Sequence, residues 1–436
     1  MQKYQTFRFI DVQYEASEQT VVMRYGLDES VVFTDRVVFQ FEPVADYSAA
    51  VLQRVLRSLW LMNGISYYKA AMSPIIDATA AQLTPEEADF FSTVYRLGLG
   101  QLCYENKLPL DRVARFEPAE GAKSDPQAAP HLQGSLVGLG GGKDSLVATT
   151  ILDEAGEDFA TFSATYMPEE NAALGRLARA IGHPHLTIRR RFDSQLKELN
   201  QAGAINGHVP VTAIIMLIGL AAAVLTGRKQ VVMSNEASAG EGNVHYDGVE
   251  INHQYSKSIE YEQAFAQHIK TSISPDLTAF SLLRPLGELQ IAKIFSEGPL
   301  ERFAGLYSSC NRNFRHDADV FTWCGACSKC AFVYLILAPF VSRDRLNAMI
   351  GPDLLANPQQ ESTYRELLGL SGHKPFECVG EIDECRAAAT LALMSGQYPE
   401  IERFQVPPTS MDLAKNLGPS VMPPKYARLV EQAIGR

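Results

Sequence analysis

Residues 135–153 read SLVGLGGGKDSLVATTILD: a short apolar run, a loop of glycines closed by Lys143, Asp144 and Ser145, and then an amphipathic run of helical period. This pattern predicts a buried strand that delivers a backbone-lined loop onto a helix N-terminus. Unpaired N–H groups and the positive end of the helix dipole favour an anion there, so a phosphate-bearing ligand is the expected occupant. Two familiar phosphate loops fail on spacing. A Walker A loop requires glycine where Val137 stands and Ser or Thr where Asp144 stands. A dinucleotide fingerprint would place its third glycine at Lys143. A glycine-rich strand-to-helix turn without a ligand is the competing reading.

The spacing that remains is that of the PP-loop of the N-type ATP pyrophosphatases, usually SGGxDS. Gly140-Gly141-Gly142-Lys143-Asp144-Ser145 resembles it at every position but the first, where Gly140 replaces a serine and removes one hydroxyl contact.

Downstream of the loop, strand and helix patterns alternate. Phe159 to Tyr166 precedes a helix over Ala172 to Ile181. His185 to Ile188 precedes a polar helix and the apolar run Val211 to Leu225, and Gln230 to Met233 supplies a fourth strand. Ala279 to Leu283 reads as a fifth strand before a helix over Glu288 to Ser296. The expectation is α/β, a doubly wound and mostly parallel sheet whose ligands sit at the carboxyl ends of the strands. Ser234-Asn235-Glu236, directly after the fourth strand, then points into the same crevice as the glycine loop.

Upstream, Thr6 to Tyr14, Thr20 to Leu27 and Val31 to Phe41 carry strand patterns broken by polar or glycine residues, which predicts an antiparallel meander. Val51, Leu52, Val55, Leu56 and Leu59 recur at helical spacing. Thr84-Pro85-Glu86-Glu87 then offers a cap, a proline at the first helical position and a glutamate at the third. Between Glu117 and Gln133 prolines replace apolar residues. The expected organisation is an N-terminal α+β domain at 1–118, a linker at 119–134, an ATP-binding α/β domain at 135–308, and a cysteine-cluster and helical C-terminal region at 309–436.

Length alone favours more than one core: the chain has 436 residues, 46% hydrophobic and 20% charged. Thirty-nine basic against fifty acidic residues give a net charge of −11, and no basic stripe stands out, which argues against a nucleic-acid partner. MQKYQTFRFI lacks a cationic region followed by a long apolar core, so no secretory signal is expected. Val211 to Leu225 falls short of the roughly 20 residues that span a bilayer, so no membrane partner is expected and the location is read as cytoplasmic.

Four of seven cysteines cluster as Cys310, Cys324, Cys327 and Cys330. Thiolates at such spacing suit a tetrahedral, structural Zn2+, with free thiols or an iron–sulfur cluster as alternatives. Asn252-His253-Gln254-Tyr255-Ser256-Lys257-Ser258 forms a polar loop able to contact a carboxylate or sugar, or simply to face solvent. Arg284-Pro285-Leu286 closes a strand, and Arg284 is a further substrate-binding candidate. His373-Lys374-Pro375-Phe376-Glu377-Cys378-Val379-Gly380, followed by Glu381, Glu384 and Cys385, concentrates ionisable groups in a broken stretch.

A PP-loop with a C-x2-C-x2-C cluster resembles 7-cyano-7-deazaguanine synthase, which adenylates a carboxylate and adds ammonia, although that family is shorter. GGGKDS, SNEAS, NHQYSKS, CGACSKC and KPFECVG together more closely resemble the MurL-type UDP-N-acetylmuramoyl-L-alanyl-L-glutamate epimerases, over essentially the whole chain. The resemblance implies a PP-loop ATP pyrophosphatase-type fold and an enzyme that uses ATP and Mg2+ to invert the terminal glutamate of a UDP-sugar dipeptide, giving AMP and pyrophosphate. Adenylation removes the carboxylate charge that would otherwise oppose loss of the α-proton. On this reading the amides of Gly140, Gly141 and Gly142 hold pyrophosphate and Lys143 screens charge. Asp144 orients Mg2+ or the loop, Ser145 donates to a phosphate, and Asn235 and Glu236 meet nucleotide or metal. His253, Tyr255 and Lys257 contact the substrate; Cys378, Cys385 and His253 are the candidate bases. A non-catalytic ATP-binding zinc protein is the reading from another class.

Overall fold

The strand expected before the glycine loop forms as β5 (Ser135–Gly138), in a computed structural model that describes residues 4–129, 131–166, 172–240, 242, 244–314, 320–372, 377, 379–410 and 417–435. The other strands, in chain order, are β1 (Thr6–Glu15), β2 (Thr20–Leu27), β3 (Val31–Phe39), β4 (Ile75–Asp77), β6 (Phe159–Thr165), β7 (His185–Arg191), β8 (Gln230–Met233), β9 (Val244–Tyr246), β10 (Val249–Ile251) and β11 (Thr278–Ser281). Among the described residues, nine of them form one sheet in the order β11-β8-β5-β6-β7-β3-β2-β1-β4. From β11 to β7 every pairing is parallel. The meander β1-β2-β3 is antiparallel, and it joins this part where β3 pairs antiparallel with β7.

The fold is therefore mixed α/β on a large, mostly parallel sheet. Period-two alternation along the strands explains its two-faced core: Leu136 of β5 packs into one apolar cluster and its neighbour Val137 into the other. The helix Val211–Leu225 lies in the first cluster, whereas Lys143–Glu154, Ala172–Ile181 and Glu288–Glu297 contribute to the second. Val211–Leu225 approaches the sheet closely. A Cβ at Gly219 would stand 2.7 Å from the Phe162 ring, so glycine sets that spacing.

Local chemistry fixes the N-terminal helices. Ser48 caps Ala49–Asn63 by accepting from the Val51 N–H, and that helix buries Val51, Leu52, Val55, Leu56 and Leu59. Thr84 and Glu87 form a reciprocal capping box on Pro85–Gly98. The proline-containing stretch before β5 runs without regular structure and is pinned at intervals, as where Gln127 N–H donates to the Ile273 carbonyl at 2.8 Å.

A buried ion pair locks the meander to the α/β part. Arg190 on β7 donates to Asp35 on β3 at 3.0 Å and to Ser66 Oγ at 3.0 Å, while the Tyr67 hydroxyl donates to Asp35 at 2.8 Å. The Arg190 guanidinium also lies 4.1 Å from the centre of the Phe192 ring. Beyond β11 the chain is helical, including Ser328–Leu337 and Ile382–Met394. Among the described residues no helix is long and apolar enough to cross a membrane.

Candidate active site

Strand order places the crevice. The chain runs outward from β5 to β6 and β7, then returns to the other side of β5 with β8 and β11, so β5 and β8 flank a topological switch point. Open α/β sheets bind ligands outside the carboxyl ends of the strands at such a point. Here those ends deliver the glycine loop after Gly138 and Asn235-Glu236 after Met233.

The loop is built for close approach. Gly141 holds φ at +87°, and a Cβ on it would come within 2.4 Å of the Phe321 ring, so only glycine fits. Gly142 is the N-cap of Lys143–Glu154 and offers no side-chain cap. The first N–H groups of that helix therefore face outward for other partners. Lys143 N–H donates to Ser309 Oγ at 3.2 Å, the Gly141 carbonyl accepts from Ser308 N–H at 3.0 Å, and the Ser145 hydroxyl donates to the Gly142 carbonyl at 3.0 Å.

Behind the loop lies a buried charge network. The Lys143 ammonium is fully buried between the carboxylates of Asp144 and Glu288. Lys329 approaches the other oxygen of Glu288 at 3.8 Å. Burial works against the Lys143 charge, but Asp144 and Glu288 outweigh it and hold the ammonium above the ordinary lysine range. Burial likewise works against the Asp144 carboxylate, and Lys143, Lys329 and, more weakly, Lys257 together hold it below the usual range. Glu384, on Ile382–Met394, accepts from the Leu289 N–H at 3.3 Å at the start of Glu288–Glu297. Burial first, and then the negative charges of Glu288 and Glu381, push its carboxyl up to about 8. One oxygen each of Glu288 and Glu384 is buried without a hydrogen-bond partner among the described residues.

The β8 exit is tied down. Asn235 donates to Ser281 Oγ at 2.9 Å. Arg284 is buried, pairs with Glu262 at 3.0 Å, and donates to the carbonyls of Glu236 (2.6 Å) and Lys257. It crosslinks the segments that carry Glu236 and Lys257. The Lys257 ammonium depresses both Asp144 and His208, so it lies within electrostatic reach of the glycine-loop helix and of that histidine. His208 is pulled down to about 4 by burial and then by Lys257. Its ring lies 6.1 Å from that of buried His253. Tyr255 packs against Tyr261 at 6.0 Å, and burial pushes its hydroxyl up to about 12. Cys385 sits in the apolar core below Glu384, and Cys378 lies outside the described residues, as do His373 to Phe376.

The four clustered cysteines converge, with all four sulfurs within 4.8 Å of one another. Cys310–Cys327, Cys324–Cys330 and Cys327–Cys330 sulfurs are 3.9, 3.8 and 3.5 Å apart. Thiolates about 2.3 Å from a tetrahedral Zn2+ would stand about 3.8 Å apart, so the donor set fits that ion. Ala326 N–H points at Cys324 Sγ at 3.4 Å, as suits a thiolate.

Motif reading passed over several residues that the fold brings here, Glu288, Lys329, His208 and Ser309, whereas Glu384 stands in the stretch of ionisable groups that the sequence singles out. Glu288 lies 145 residues from Lys143 in sequence. Its only local signal is its place directly after Gly287, at a helix start.

Two family models match the chain: the MurL N-terminal domain over residues 1–282 and the MurL C-terminal domain over residues 306–405. Three relatives are each named UDP-N-acetyl-alpha-D-muramoyl-L-alanyl-L-glutamate epimerase. The one from Xanthomonas oryzae pv. oryzae is 38% identical, covering 92% of this chain and 89% of its own. The one from Micromonospora sp. is 39% identical and covers 93% of each chain. The one from Salinispora tropica is 37% identical over 98% of this chain and 96% of its own.

Proposed function

The chain belongs to the MurL family, and from that membership we propose that it inverts the terminal glutamate of UDP-MurNAc-L-Ala-L-Glu, a step of peptidoglycan precursor synthesis, at the expense of ATP. The observation that carries this reading is identity of 37–39% to named epimerases across at least 92% of the chain. The glycine loop at the switch point supports the ATP part, as a PP-loop-type grip on the β- and γ-phosphates.

In the proposed reaction a glutamate carboxylate oxygen attacks the α-phosphorus of ATP, pyrophosphate leaves, and an acyl-adenylate forms. Loss of the carboxylate charge lowers the barrier to removing the α-proton. One face is deprotonated and the other reprotonated, and water then returns the carboxylate and AMP. The amides of Gly140 to Gly142 and the Ser145 hydroxyl bind the departing pyrophosphate, and Lys143 offsets its charge. Asp144 and Glu236 supply carboxylate oxygens suited to Mg2+, which would accompany the triphosphate and screen its charge. Arg284 acts as a positioning residue, fixing the carbonyls of Glu236 and Lys257. Lys257 and Tyr255 contact the UDP-sugar dipeptide. Of the three proton-transfer candidates, Cys385 is embedded in the apolar core, whereas His253 stands with its ring 6.1 Å from that of His208; His253 is the base put to the test, with Cys378 the remaining candidate. Cys310, Cys324, Cys327 and Cys330 would hold a structural Zn2+ with no open coordination position. The expected location is the cytoplasm, where UDP-linked precursors and ATP meet.

The test is incubation with UDP-MurNAc-L-Ala-L-Glu, ATP and Mg2+ in D2O. Deuterium should enter the glutamate α-position, D-Glu should appear on hydrolysis, and AMP should accumulate. Retention of L-Glu without deuterium would reject the reading. His253→Gln should still form AMP while losing most of the exchange.

A further inference from the structure

The glycine loop departs from SGGxDS at Gly140, and the fold brings a hydroxyl to the loop from 166 residues away. Gly140 contributes no side chain, and a Cβ there would meet nothing within 4 Å. Ser309, almost fully buried, places its Oγ 3.2 Å from Lys143 N and 3.1 Å from where a Cβ on Gly142 would be. Having accepted the Lys143 N–H, Ser309 keeps its own proton, and among the described residues that proton has no acceptor. Phosphate oxygens only accept, so a rotatable hydroxyl beside outward-facing helix amides complements them.

The segment that carries Ser309 is held from both sides. Ser308 N–H donates to the Gly141 carbonyl at 3.0 Å, and the Phe321 ring covers Gly141. Ser308 Oγ accepts from Cys310 N–H at 3.0 Å and donates to the Thr322 carbonyl at 2.9 Å. Cys310, directly after Ser309, and Cys324, two residues after Thr322, both belong to the cysteine cluster. Ser309 is thus fixed by the cluster on one side and by the loop on the other.

We infer that Ser309 supplies, from across the crevice, the hydroxyl that the loop lacks at Gly140, donating it to the pyrophosphate portion of ATP. This inference rests on the ATP reading above. It also predicts its own repair. Gly140 is open and does not occupy the positive-φ region, so a serine fits there without strain and returns the hydroxyl to the loop.

The experiment is calorimetric titration of ATP and of inorganic pyrophosphate, each with Mg2+, into the unaltered protein, Ser309→Ala, Gly140→Ser and the double variant. Elemental metal content and melting temperature are measured alongside. Ser309→Ala should weaken both ligands about ten- to hundredfold, the range of one hydrogen bond to a charged group, with metal content unchanged. Gly140→Ser in the same chain should recover most of that loss. Unchanged or tighter binding by Ser309→Ala would overturn the inference, the latter showing that the hydroxyl merely plugs the Lys143 N–H. Failure of Gly140→Ser to recover affinity would overturn it as well. Should Ser309→Ala lose its metal, Ser309→Thr and Ser309→Val replace it; these are near-isosteric and differ in the hydroxyl, and equal affinities would overturn the inference. Unaltered protein that binds neither ligand overturns the ATP reading and this inference together, whereas binding that Ser309→Ala leaves intact overturns the inference alone.

Discussion

Two buried charge networks sit in the same sheet protein and are built differently. Asp35 and Arg190, where the meander meets β7, are saturated: the carboxylate receives Arg190 and Tyr67, and the guanidinium also reaches Ser66 and stacks on Phe192. Lys143, Asp144, Glu288, Lys329 and Glu384, behind the glycine loop, are not. Two carboxylate oxygens there have no hydrogen bond among the described residues, and Glu384 stays protonated to about pH 8. Burial penalises charge in both places, and the two differ in what completes each network. Protein groups close the first and make it a rivet. The second lies behind the glycine loop and keeps two carboxylate oxygens without a hydrogen bond among the described residues.

Substitutions can break this contrast. Arg190→Met should produce the largest effect, because it strands Asp35 without its cation: a loss of about 3–5 kcal/mol in unfolding by urea. On the proposed ATP reading, the fraction that remains folded should bind ATP as the unaltered protein does. A loss below 1 kcal/mol would show that the rivet is dispensable. Asp144→Ala should act the other way, lowering pyrophosphate release about a hundred- to a thousandfold while the melting temperature changes little. Undiminished release would reject the assignment of the loop. Glu384→Gln should have the smallest effect and one with a pH signature. The ordinary glutamate value is about 4.3, whereas Glu384 in the folded chain titrates near 8. Between those values the folded chain holds a proton that the unfolded chain has released, so its contribution to stability falls as pH rises. Melting curves should show the Gln variant gaining a few degrees on the unaltered protein between pH 5 and pH 8.5. A constant difference would mean that Glu384 is as well paired as Asp35.

Where interactions are local, the sequence revealed the structure. Val211–Leu225 and Ala172–Ile181 form at their expected bounds, because apolar periodicity and flanking Pro210 and Gly182 act within a few residues. The Thr84 capping box is equally local. Strand ends shifted where distant partners intervened. β7 runs on to Arg191, past the expected end at Ile188, because Arg189, Arg190 and Arg191 find partners on β3, and no local pattern marks three consecutive arginines as strand. The glycine loop was legible for the same reason as the helices, its residues being contiguous. Its surroundings were not. Glu288, Lys329, Glu384 and Ser309 reach Lys143 or its neighbours only through tertiary packing, and Arg284, read as a substrate contact, is engaged by Glu262 and two carbonyls.

The β3–β7 pairing also bears on how the chain is made. Asp35 and Arg190 are 155 residues apart, so during synthesis the meander has all its own strands long before the neighbour of β3 exists. At roughly 5–20 residues per second the interval is roughly 8–30 s. Through that time β3 presents Val37, Val38 and Phe39 along an unpaired backbone edge, the kind of template on which strangers add strands. The closing contact must then gather a loop of that size, a slow event for entropic reasons. The β3 edge is thus open on the ribosome until β7 arrives to cover it.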